Sequence, residues 1–75
     1  MQKVIIHSPF IELAQLLKYA GLVETGGQAK IAVTSGLVRV NGEPATQRGR
    51  KIRHGDRVIF EGREIEIASE PETAV

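Results

Sequence analysis

Seven basic residues, Lys30, Arg39, Arg48, Arg50, Lys51, Arg53 and Arg57, share one stretch of chain with only Glu43 and Asp56 as acids, so residues 30–57 carry a net +5. Downstream, Glu61, Glu64, Glu66, Glu70 and Glu72 stand against Arg63, a net −4, and residues 1–29 balance to zero. The formal charge of the whole chain, +1, conceals this separation. Cations gathered in one segment are the footprint of a polyanion binder, and nucleic acid is the commonest polyanion. Arg48, Arg50, Lys51 and Arg53 place four cations in six residues. Charges that dense repel one another unless an anion lies near. The arginine fork suits phosphate and can stack on splayed bases. A solvated charged face is the other reading of the same pattern.

Composition removes several alternatives. The chain has no cysteine, hence no disulfide, no thiolate zinc site and no thiol nucleophile. His7 and His54 lie far apart without a second pair of ligands, so no metal site is expected. The acids cluster toward the C-terminus with no nucleophile or paired base, so the expectation is a non-enzyme with no cofactor and no small-molecule substrate. The longest apolar runs are three residues, such as Val4 to Ile6, against the roughly 20 that cross a membrane. The N-terminus lacks the basic-then-apolar pattern of a secretory signal. A soluble, cytoplasmic, monomeric protein is the expectation.

Seventy-five residues, 41% of them hydrophobic, make one small domain. Lys3 to His7 is short and β-branched and reads as a strand. Ser8-Pro9 reads as an N-cap with proline at the first helical position. Phe10, Leu13, Leu17 and Ala20 then follow at helical spacing, widened by Ile11 and Leu16, to a stop at Gly21, which predicts a helix over about 9–20. Thr25-Gly-Gly-Gln28 is a capping-box pattern that opens a second helix through Ser35, closed by Gly36. Ala29, Ala32 and Val33 are its packing side. Leu37 to Val40 is a strand, Asn41-Gly42 is a strong hairpin signal, and Pro44 marks an edge. Residues 46–57 read as a polar basic loop with Ile52 as a lone apolar anchor. Arg57 to Phe60 and Arg63 to Ile67 read as strands around Glu61-Gly62. The domain is expected over 1–68, with 69–75 a disordered acidic tail.

Leu13-x3-Leu17-x3-Gly21, Thr25-x3-Ala29, Val33-x2-Gly36-x-Val38-x-Val40-Asn41-Gly42 and Gly55-Asp56-x-Val58 form one long constellation. It resembles the S-four RNA-binding domain, named after a small-subunit ribosomal protein and shared by tRNA synthetases and pseudouridine synthases. The likeness covers about residues 12–60, as in small bacterial members that consist of little else. It implies an α+β fold: two packed N-terminal helices, then a small, mostly antiparallel curled sheet of the RNA-binding αL type, with a short N-terminal strand. It also implies that the second-helix start and adjoining hairpin face RNA. Members often begin the first helix with Arg-Leu-Asp and the second with Ser-Arg; here these are Glu12-Leu13-Ala14 and Thr25-Gly26. Two arginines expected to contact RNA are absent, and the basic charge stands in Arg48-Gly-Arg-Lys-Ile-Arg53 instead.

Elementary chemistry points the same way. A helix N-terminus exposes unsatisfied N–H groups and a positive dipole end, and Gly26 and Gly27 carry no side chains to keep a phosphate away. Lys30 lies about one turn further on. The candidate RNA-binding residues are therefore Thr25, Gly26, Gly27, Gln28, Lys30, Arg39, Asn41, Arg48, Arg50, Lys51 and Arg53. Thr25 and Gln28 equally fit a plain cap, and Asn41 a left-handed turn residue. Phe10 and Phe60 read as core and Tyr19 as the one exposed ring, so recognition is expected to rest on backbone shape and charge more than on stacking. The partner expected is structured RNA, ribosomal or transfer RNA or the ribosome itself. Two other classes compete: a helix-turn-helix DNA binder over Leu13 to Ser35, and a protein-interaction module for an acidic partner. Against the former, Gln28 and Lys30 alone would reach base edges.

Overall fold

The computed structural model describes residues 2–69, in which the alternation of β-branched and polar residues becomes a sheet with two helices packed on it. The elements run β1 (Gln2–Ile6), β2 (Phe10–Glu12), α1 (Leu13–Tyr19), α2 (Gly26–Thr34), β3 (Val38–Val40), β4 (Glu43–Pro44), β5 (Lys51–Arg53), β6 (Arg57–Phe60) and β7 (Arg63–Ser69). Five strands pair in the order β1-β7-β6-β3-β4, while β2 and β5 form a separate two-stranded ribbon. All pairings are antiparallel except β1 with β7, which is parallel. The fold is thus α+β with a mostly antiparallel sheet.

Both helices end in the same way. Leu22 N–H reaches back to the Leu17 carbonyl and Leu37 N–H to that of Ala32, at 2.9 and 3.1 Å, the six-to-one bond that closes a helix whose next residue is left-handed. At the β3–β4 turn Asn41 and Gly42 hold φ of 54° and 86°, the mirror-image conformation that matches the twist of a two-residue hairpin. Pro44 sits on β4, the outer strand, where its missing N–H leaves no ladder bond unmade.

The core lies between helices and sheet. Leu13, Leu16 and Leu17 of α1 and Ala29, Ala32 and Val33 of α2 are buried with Val38, Val40, Val58, Phe60, Ile65 and Ile67. The small alanines of α2 let it approach α1 closely. On β7 the pattern is the expected one, with Ile65 and Ile67 buried and Glu64 and Glu66 turned toward solvent.

Three expectations are corrected. The first helix begins at Leu13 and not at 9; Phe10 to Glu12 is extended and pairs with Lys51 to Arg53. Ser8 does not cap a helix: its hydroxyl donates to the Phe10 carbonyl at 2.7 Å, and the N-cap residue, Glu12, makes no side-chain cap bond. Helical spacing holds from Leu13 onward, while a strand partner about forty residues away takes the backbone of 10–12 into a ladder. Second, residues 46–57 are not all loop, since 51–53 form β5. Third, Phe10 is not core: it is 38% exposed. The proposed acidic tail loses Ser69 to β7, and 70–75 lie outside the described residues.

Ile52 shows how firmly the basic segment is attached. It is fully buried although every neighbour from 46 to 51 is polar, glycine or basic. Ile52→Ala should therefore cost about 2–5 kcal/mol, the range for a core aliphatic truncation, in urea denaturation. A loss under about 0.5 kcal/mol would mean that this segment is not part of the folded unit.

Candidate nucleic-acid interface

The basic segment is held by its backbone, which leaves its side chains outside. Leu13 and Ala14 present the first N–H groups of α1, and these donate to the carbonyls of Arg50 and Arg48 at 2.8 and 3.0 Å. The helix start is thus capped by main-chain acceptors from the basic segment in place of a side chain. β2 adds the ladder Phe10–Arg53, Ile11–Ile52 and Glu12–Lys51. With Ile52 inward, Arg48, Arg50, Lys51 and Arg53 are all exposed. The register sets Lys51 opposite Glu12, and Arg50 is bonded to Leu13. The cations therefore stand beside the first-helix start, where the likeness to the family leads one to expect an arginine.

The hairpin is tied to the end of this segment. Asn41 spends both ends of its amide: Nδ2 donates to Asp56 Oδ1 at 3.1 Å, and Oδ1 accepts from the Arg57 N–H at 3.0 Å. Asp56 Oδ2 in turn accepts from the Arg53 N–H at 2.8 Å. Asn41 is thereby a clamp within the chain as well as a left-handed turn residue. Arg39, on β3 just before the turn, is exposed, and its guanidinium donates to the Gly42 carbonyl at 3.3 Å. Arg57 faces Glu64 at 3.6 Å across a half-exposed surface, a pair worth little in water.

The second-helix start forms its own small unit. Gln28 N–H donates to Thr25 Oγ1 at 3.1 Å, and Gln28 Oε1 accepts from the N–H groups of Thr25 and Glu24 at 3.3 and 2.8 Å. This capping box commits the hydroxyl of Thr25 and the amide oxygen of Gln28 to the helix itself. Gly26 and Gly27 are exposed at the first two helical positions, and the space beside Gly26 is open, with nothing within 4 Å of an added Cβ. Lys30 is exposed one turn on.

These parts stand toward opposite ends of β6. Gln28 lines an open groove with Leu22, Ile31, Leu37, Phe60 and Arg63, at the Phe60 end of β6. Asn41, Asp56 and the basic segment gather at the Arg57 end. The two ends of this four-residue strand lie roughly 10 Å apart. Sequence reading joined the pieces because it could order them along the chain but not around the sheet. Phe10, expected in the core, also stands on this basic ribbon, opposite Arg53.

Among the described residues no group of three or more His, Asp or Glu is placed to hold a metal ion, and no helix is long and apolar enough to cross a membrane.

Comparison with known proteins places this architecture. The family model described as "S4 domain" matches residues 4–68. The YbcJ protein of Escherichia coli (strain K12) is 41% identical over 61 residues, which cover 81% of this chain and 87% of YbcJ. A Bacillus subtilis (strain 168) protein named "Probable ribosome maturation protein RlbA" is 44% identical over 57 residues, covering 76% of this chain and 80% of its own. The solution structure of E. coli YbcJ, described as revealing an αL motif involved in RNA-binding, superposes with a TM-score of 0.71 at 38% identity and covers 91% of this chain and 87% of that one. With a family match over nearly the whole described chain and relatives above 40% identity, the protein belongs to the S4 domain family.

Proposed function

We propose that this chain is a non-catalytic RNA-binding protein that recognises structured RNA, with ribosomal RNA in the context of ribosome maturation as the first candidate. The observation that carries the reading is the fixed array of Arg48, Arg50, Lys51 and Arg53, held outward by the bonds of the Arg48 and Arg50 carbonyls to α1 and by buried Ile52. Cations presented on a rigid frame lose less entropy on meeting phosphate than the same residues on a floppy loop. The description of the YbcJ structure supports RNA as the polyanion, and the name of RlbA supports the ribosome. Arg39 at the hairpin extends the array past the Asn41–Asp56 clamp. The α2 start, with Gly26, Gly27 and Lys30, is a second contact for another phosphate of the same RNA. Thr25, Gln28 and Asn41 act by holding these contacts in place.

Replacing Arg48, Arg50, Lys51 and Arg53 with alanine should weaken RNA binding and flatten its salt dependence, since each lost phosphate contact removes roughly 0.7–0.9 from the log–log slope. Far-ultraviolet circular dichroism should be unchanged, because Ile52 and the two capping carbonyls remain. An unaltered slope would take the segment out of the site.

Gly26→Glu tests the helix start separately. The side chain has room, and a carboxylate at the first helical position favours the helix dipole, so the melting temperature should hold or rise while RNA affinity falls. Affinity retained at equal salt would leave α2 outside the interface.

Titration with an RNA hairpin and with B-form DNA of matching sequence decides the nucleic acid. A surface reading A-form shape and phosphates should prefer RNA, with amide shifts concentrated at 25–30, 38–43 and 47–54. Tighter binding to the DNA duplex, with shifts along the exposed face of α2, would instead establish a helix-turn-helix mode.

A further inference from the structure

The β2–β5 ribbon sorts its residues by face. Ile11 and Ile52 are opposite one another and turn inward, Ile52 fully buried. Phe10 and Glu12, two apart on β2, share the outer face with their partners Arg53 and Lys51. A phenylalanine there is unexpected. Any polar residue would complete the strand, yet a ring is 38% exposed on the most basic surface of the molecule. Lys51 Nζ stands 4.9 Å from its centroid, so the ammonium covers part of the ring and steadies its orientation.

A flat apolar face set among cations matches one chemistry closely: a planar aromatic system joined to an anion, which is a nucleotide. We propose that Phe10 is a stacking platform for one unpaired base of the bound RNA, which takes the ring face that the Lys51 ammonium covers as Lys51 moves to a flanking phosphate, with Arg53 on the next. The inference rests on the RNA reading above and narrows the ligand to a helix interrupted by a bulge, loop or single-stranded end, because a base inside a duplex has no free face to offer. Phenylalanine has no hydrogen-bonding group, so the platform accepts any of the four bases. Recognition then combines phosphate contacts from the basic segment with a structural mark, the unpaired nucleotide, and not with a sequence.

The test compares two RNAs of equal length, a hairpin stem bearing one bulged nucleotide and a fully paired blunt duplex, against the full chain and two variants. Phe10→Leu keeps an apolar side chain but removes the ring. It should weaken binding of the bulged RNA by about 5- to 150-fold, the worth of one base–aromatic stack, and leave the paired duplex within about twofold. The salt slope on the bulged RNA should stay as in the parent, because no phosphate contact is lost. Phe10→Trp should keep the affinity, and as the chain has no other tryptophan, its fluorescence should be quenched by the bulged RNA and not by the duplex. Equal losses on both RNAs, no loss on either, or an unquenched tryptophan would overturn the platform while leaving RNA binding intact. A parent chain that binds neither RNA would overturn the RNA reading, and this inference with it.

Discussion

Two hydrogen bonds, from the Leu13 and Ala14 N–H groups to the Arg50 and Arg48 carbonyls, fix the basic segment against the start of α1. A helix needs acceptors for its first N–H groups, and here a segment more than thirty residues downstream provides them. The same contact gives that segment a place. Four closely spaced cations would resist being held together, so the frame must come from elsewhere than their side chains. It comes from backbone bonds to α1, the short ladder with β2, and Ile52 sunk into the core. The charges are thereby organised by the backbone.

The Asn41–Asp56 clamp extends this logic. Asn41 bridges the β3–β4 turn to Asp56 and to the Arg57 backbone, while Asp56 holds the Arg53 backbone. Asp56 is one of only two acids in the basic stretch, and its carboxylate is aimed at N–H groups and not at an arginine head. Its two oxygens, one on the Asn41 side-chain amide and one on the Arg53 main chain, shape the loop. The ribbon face follows from the same frame: once Ile11 and Ile52 are inward, Phe10, Lys51 and Arg53 have no choice but to face out.

Toward the other end of β6 from this cluster, Gln28 of the α2 start lines a groove with Glu61 and Arg63 as well as apolar Ile31 and Leu37. The capping box gives the helix start its rigidity, since three backbone N–H groups are satisfied by two side chains.

Local chemistry was legible in the sequence. The Thr25–Gln28 cap, the Asn41-Gly42 turn, the edge position of Pro44, the alternation along 63–67 and the apolar anchor at Ile52 each depend on neighbours within a few residues, and each formed as its residues dictate. The charge separation and the family likeness were legible for the same reason, being properties of order along the chain. What only the tertiary structure decided involves partners far apart in sequence. Phe10 to Glu12 looks helical until Lys51 to Arg53 offers it a ladder, and that pairing moves the helix start to Leu13 and turns Phe10 outward. Asn41 looks like a turn residue until Asp56 arrives beside it. The cations read as a loop became a strand and a helix cap, because long-range backbone hydrogen bonds and one buried isoleucine outweigh local propensity.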